Sequence, residues 1–187
     1  NYTQYSIISC LVGSEMFIRD RLIGGPQGSG VDTAANIFSR VGAKLGYHVF
    51  GKREYHSNIK GLHSYFVVRL SDNKVRSNVK GANIMVAFDA ETMIRHGLDI
   101  PKNGAIIYDS SIVNTSIDEI PTIEVDHRVR LDEFFKSKNM EPKVSSIIKL
   151  AEQKGVNVYP ISFWDTLSNI ADELNRPELS RMTRMFN

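Results

Sequence analysis

Two short segments hold the residues that could meet a ligand. The first is Gly25-Pro26-Gln27-Gly28-Ser29-Gly30, which carries too many glycines for a helix interior and is followed by an apolar pattern at helical spacing. A glycine loop that opens a helix gathers free backbone N–H groups and the positive end of the helix dipole, so it suits a phosphate or a carboxylate. Its spacing, G-x-x-G-x-G from Gly25, matches neither the dinucleotide fingerprint nor a P-loop. Close packing against another loop or chain is the competing explanation for so many glycines.

The second segment, residues 52–61, reads KREYHSNIKG and crowds Lys52, Arg53 and Lys60 among Tyr55, His56, Ser57, Asn58 and Gly61. Arg53 could grip a carboxylate at two points, and Lys60 could hold a phosphate as a point charge. A solvated turn between strands would carry the same charges with no ligand at all. The candidate site residues are therefore Gly25, Gln27, Gly28, Ser29, Gly30, Arg53, Tyr55, Ser57, Asn58, Lys60 and Gly61.

Other chemistry is poorly represented. His48, His56, His63, His96 and His127 show no metal-binding spacing on a helix, and the acids do not cluster around them in sequence. His56 and His63 flank the polar loop and are the two to watch. No Ser/His/Asp set and no nucleophilic cysteine stands out. Asp89 and Asp109 end buried strands and are read as caps of the turns that follow. The one cysteine, Cys10, forms no internal disulfide and cannot hold an iron–sulfur cluster, which takes four thiolates. It suits a reducing cytoplasm. A net charge of +2 gives no basic face for nucleic acid, and no apolar run is long enough for a membrane span.

The elements that must position these segments follow from periodicity. Leu22-Ile23-Gly24 ends a buried strand, and residues 31–45 form a helix capped by Gly46. Residues 47–55 and 64–70 are strands joined by a link too short for a crossover helix, so they pair antiparallel. Residues 82–89 and 104–109 are buried strands, with a short helix over 90–96 between them. Residues 122–126 read as a further short strand, 143–154 as a helix, 156–159 as a strand, and 163–174 and 178–185 as helices. Strands alternating with helices give an α/β domain in three layers, with a mixed, mostly parallel sheet.

Residues 1–21 do not fit this pattern. The string LVGSEMFIRDR resembles a translated sequencing-adapter remnant, so this segment is expected to be non-native or disordered, and the domain to run over 22–187.

Three segments taken together, LIGGPQGSGVDTAANIFSR, GKREYHSNIKGLHSYFVVRLSD and VAFDAET, carry a resemblance. They resemble the N-terminal, gamma-type domain of the large (alpha) subunit of archaeal-style 2-oxoacid:ferredoxin oxidoreductases. The resemblance implies oxidative decarboxylation of a 2-oxoacid to acyl-coenzyme A, with electrons passing to ferredoxin. It implies a complex containing thiamine diphosphate, Mg2+, a 4Fe-4S cluster and coenzyme A, none held by this chain alone. It implies partners: the thiamine-binding alpha domain that would follow residue 187, a beta subunit, and ferredoxin through the complex. The chain would be inactive alone, a scaffold whose two loops act as a lid at the substrate or coenzyme A entrance. From the residues alone, an NADP-binding, Rossmann-like reductase domain and a pure subunit-assembly module are the other two readings.

Overall fold

Alternate side chains of a strand point to opposite faces, so a central strand needs apolar residues in succession. Leu22 and Ile23 satisfy this in the computed structural model, which describes residues 19–55, 61–77 and 81–162. Leu22 joins the core beneath one helix layer and Ile23 the core beneath the other.

The strands are β1 (Arg19–Pro26), β2 (His48–Tyr55), β3 (His63–Ser71), β4 (Ile84–Ala87), β5 (Ala105–Asp109) and β6 (Asn157–Ile161). They form one sheet in the order β2-β3-β1-β4-β5-β6. β1–β4, β4–β5 and β5–β6 pair parallel, while β1–β3 and β2–β3 pair antiparallel. This is the mixed, mostly parallel sheet that the short link after Tyr55 demands.

The helices are α1 (Val31–Lys44), α2 (Ala90–His96), α3 (Val125–Ser137) and α4 (Val144–Gln153). α1 packs on β1, β2 and β3, burying Val31 and Ala35 against Ile23, Val68 and Leu70. On the opposite face α2 and α4 bury Met93, Ile94, Ile147 and Ala151 against Leu22, Met85, Ala87 and Ile106. Three layers result, with two cores separated by the sheet.

One local expectation is corrected. Residues 122–126 are not a strand: Val125 starts α3, and the alternation Ile123-Glu124-Val125 arises because Ile123 is buried while Val125 stands 77% exposed. β1 runs from Arg19 to Pro26, and Asp20 and Arg21 are buried within it. Asp20 accepts two hydrogen bonds from Arg69 of β3, from Nε at 2.6 Å and from Nη2 at 2.5 Å. A buried carboxylate needs such a two-point partner to offset its lost hydration. The helices expected at 163–174 and 178–185 lie outside the described residues.

Candidate functional site

The carboxyl ends of β1, β4, β5 and β6 lie along one rim of the sheet. The antiparallel turn of β2 into β3 brings the β2–β3 link to the same rim. The glycine loop and the cationic loop therefore meet. Gln27 N–H donates to the Leu62 carbonyl at 2.7 Å, and Gly61 N–H donates to the Gln27 carbonyl at 3.0 Å. The strand ladder reaches the same point, with Pro26 opposite His63 and Gly25 opposite Ser64.

The glycines of the first loop have different reasons to be there. A Cβ on Gly24 would lie 2.5 Å from Thr92 Cγ2, and one on Gly25 would lie 2.8 Å from Phe88 Cβ. These two let β1 approach the β4–α2 junction. Gly28 and Gly30 adopt φ of 95° and 96°, where a side chain is strained. A Cβ on Gly30 would meet nothing within 4 Å, so here it is the backbone conformation that requires glycine. Gly30 is also the N-cap of α1 and offers no side-chain acceptor to the first turn.

Arg53 reaches the start of α1, with Nη2 3.1 Å from Asp32 Oδ2. Lys52 pairs with Glu54, whose hydrogen bond and charge push the lysine up. The backbone of Tyr55 pairs with Ser64 at the rim. His56, Ser57, Asn58 and Lys60 lie outside the described residues. Asp89 and Asp109 act as the caps expected of them: Thr92 N–H donates to Asp89 Oδ1 at 2.9 Å, and Ser111 N–H donates to Asp109 Oδ1 at 2.9 Å.

Beside the loops a cleft of about 320 Å³ opens at the carboxyl ends of β4 to β6, lined by Ser29, Phe88, Ile107, Tyr108, Asp109 and Ile161. Burial pushes the Tyr108 phenol up, with the Glu152 charge adding to it. In a second hollow of about 380 Å³, Lys52, Glu54, Tyr65, His96 and Asp99 surround an apolar floor of Leu22 and Val67. Burial likewise pushes Tyr65 up, helped by Glu54.

At the wall of the second hollow, which Tyr65 and His96 line, stands a cluster that sequence spacing did not reveal. His63 is 2% exposed, and its Nε2 lies 3.3 Å from His96 Nε2. The two rings stack, and both contact the Tyr65 ring. One ring nitrogen of His63 also comes within 4.8 Å of carboxylate oxygens of Asp89 and Glu91. The expectation that no acids gather around a histidine is thus corrected. The partners are far apart in the chain and meet only because α2 lies across the end of β3. No helix among the described residues is long and apolar enough to cross a membrane.

A family model described as "Pyruvate ferredoxin/flavodoxin oxidoreductase" matches residues 20–187. The chain is 39% identical over 156 residues to the alpha subunit of 2-oxoacid:ferredoxin oxidoreductase 1 from Sulfurisphaera tokodaii, covering 83% of this chain and 25% of that subunit. It is 40% identical over 153 residues to the corresponding alpha subunit of Saccharolobus solfataricus, covering 81% and 24%. It spans about a quarter of the length of these curated relatives. A solved 2-oxoglutarate:ferredoxin oxidoreductase from Magnetococcus marinus shares the fold, with a TM-score of 0.55 and 20% identity over 86% of this chain and 22% of that one.

Proposed function

Because this chain belongs to the pyruvate ferredoxin/flavodoxin oxidoreductase family, we propose that it works inside a 2-oxoacid:ferredoxin oxidoreductase complex as a scaffold and as a lid over the substrate or coenzyme A entrance. The reaction is oxidative decarboxylation of a 2-oxoacid to an acyl-coenzyme A, with electrons leaving to ferredoxin in the cytoplasm. The observation that carries this reading is the pair of backbone hydrogen bonds from Gln27 to Leu62 and from Gly61 to Gln27. They join two loops of quite different chemistry into one platform on the rim.

The chain's own residues fit part of the chemistry and not the rest. A 4Fe-4S cluster needs four thiolates and this sequence has one cysteine, so the cluster belongs to another part of the complex. No Gly-Lys-Ser/Thr loop is present to hold a diphosphate with Mg2+, and thiamine diphosphate is likewise assigned to the thiamine-binding alpha domain or the beta subunit. What this chain offers is recognition: the uncapped start of α1, the Ser29 hydroxyl and the cations of the second loop. These suit a carboxylate or the phosphates of coenzyme A.

A scaffold also needs a surface to present. Ile37, Val41 and Leu45 form a ridge along the outer side of α1, 58%, 50% and 58% exposed. Since the matched stretch is only about a quarter of the length of these relatives, we assign that ridge to contact with the rest of the subunit. The sheet order opposes the dinucleotide alternative. In that fold the strand after the first helix returns parallel beside β1, whereas here β2 sits at the sheet edge and the antiparallel β3 takes the place next to β1.

The test is kinetic. Arg53→Ala and Lys60→Ala are made in the full enzyme, and the 2-oxoacid and coenzyme A kinetics are compared with wild type. A lid role raises at least one KM or lowers one kcat/KM. Changes under about threefold in both, or ~0.7 kcal/mol, remove it.

A further inference from the structure

We propose that His63, Asp89 and Glu91 bind one divalent transition-metal ion, with Zn2+ the best-suited species, and that the ion clamps the start of β3 to the first turn of α2. One nitrogen of His63 and one oxygen of each carboxylate lie within 4.8 Å of one another. A tetrahedral ion bound at about 2.1 Å sets its donors about 3.4 Å apart, so the cluster closes around it by at most about 1.4 Å. The donors come from two rigid places, the first residue of β3 and the β4–α2 junction, rather than from a flexible loop.

Burial and charge favour the same occupant. His63 is 2% and Glu91 5% exposed, while Asp89 is partly open and gives the ion a way in. Arg95 Nε donates to Glu91 Oε1 at 2.7 Å, and its Nη2 donates to the Thr122 carbonyl at 2.6 Å. Asp89 and Glu91 lie beside the Arg95 guanidinium in a largely buried place, where a metal cation brings positive charge close to both carboxylates.

The surrounding hydrogen bonds orient the donors. Both bonds from Thr92 to Asp89, from N–H at 2.9 Å and from Oγ1 at 2.5 Å, arrive at Oδ1, which leaves Oδ2 for the ion. Arg95 orients the Glu91 carboxylate through Oε1. An imidazole with two carboxylates is a mixed set in which the nitrogen favours Zn2+ and the oxygens tolerate it, and water completes the sphere.

The experiment titrates the full chain, stripped with chelator, with Zn2+ by calorimetry, and follows Co2+ by its visible absorption. The expected result is one site per chain with a dissociation constant at or below about 10 µM. His63→Gln, Glu91→Gln and Asp89→Asn should each weaken it at least tenfold, the last keeping an acceptor for Thr92. His48→Gln, at the far end of the sheet, should change nothing. No stoichiometric uptake, or uptake untouched by the three variants, overturns the proposal. Should a variant fail to fold, X-ray absorption on the wild-type zinc form decides. One imidazole among oxygen donors supports the site, and a multi-imidazole or sulfur shell overturns it.

Discussion

The N–H of Gly61 donates to the carbonyl of Gln27 at 3.0 Å, while the N–H of Gln27 donates to the neighbouring Leu62 carbonyl at 2.7 Å. Residues more than thirty positions apart in the chain thereby share a small ladder just beyond the last paired residues of β1 and β3. Native-state hydrogen exchange should show the amides of Gln27 and Gly61 opening together, with similar protection. The Gly28 amide, in the turn between, should exchange faster. Independent exchange at Gln27 and Gly61 would mean that the two loops move separately.

The buried pair of Asp20 and Arg69 should behave as such pairs do when cut. Asp20→Ala leaves a guanidinium that is 3% exposed without its carboxylate and should cost about 3–5 kcal/mol in urea unfolding. Removing both charges, as Asp20→Ala with Arg69→Met, should recover much of that loss. A single variant costing less than about 1 kcal/mol would show the pair to be solvated.

Gly24→Ala should be far more damaging than Gly42→Ala. A Cβ at position 24 meets Thr92 Cγ2 at 2.5 Å and Oγ1 at 2.8 Å, and Thr92 is held by its own bond to Asp89. Overpacking of this kind costs about 1–3 kcal/mol. At position 42 the obstacle is Leu70 Cδ2 at 2.6 Å, the movable tip of a side chain, and alanine gains about 1 kcal/mol of helix propensity over glycine. Thermal melts of the two variants should differ clearly in that order.

His127 carries a pH dependence. Burial lowers its pKa below 6.5, and the charges of Arg95 and Arg130 lower it further. Its buried Nε2 has no hydrogen-bond partner among the described residues. The native state therefore favours the neutral ring, and the unfolded chain takes up a proton more readily. That contribution to stability is complete above about pH 6.5 and is lost as pH falls from there toward the lowered native value. Unfolding free energies should show a slope over this window that His127→Gln reduces. An unchanged slope would assign it to other groups.

The parts of this fold that were legible in the sequence are those whose apolar pattern is local. The run from Ser64 to Leu70, the helix after Gly30 and the apolar stretch over β4 announce themselves because burial repeats at a strand or helix period. α3 was hidden because Val125 and Val129 face outward at 77% and 50% exposure, leaving Leu131 and Phe135 as its buried stripe. Asp20 was hidden differently, since it lies 49 positions from its partner and in a stretch that resembles foreign sequence. The two candidate loops stand out by composition, and their meeting on one rim follows from the antiparallel return of β2. The His63 cluster could not be named, because it depends on where α2 crosses the sheet.

The ion pair at the foot of β1 governs events at its crown. Side chains alternate along a strand, so a slip of β1 by a single residue would turn Asp20 toward α1 and abandon Arg69 on the other side. The same slip would carry Gln27 about 3.4 Å past Gly61 and unfasten the two turns. Asp20 and Arg69 thus act as a pawl for the whole strand, holding the only register in which the rim platform can assemble.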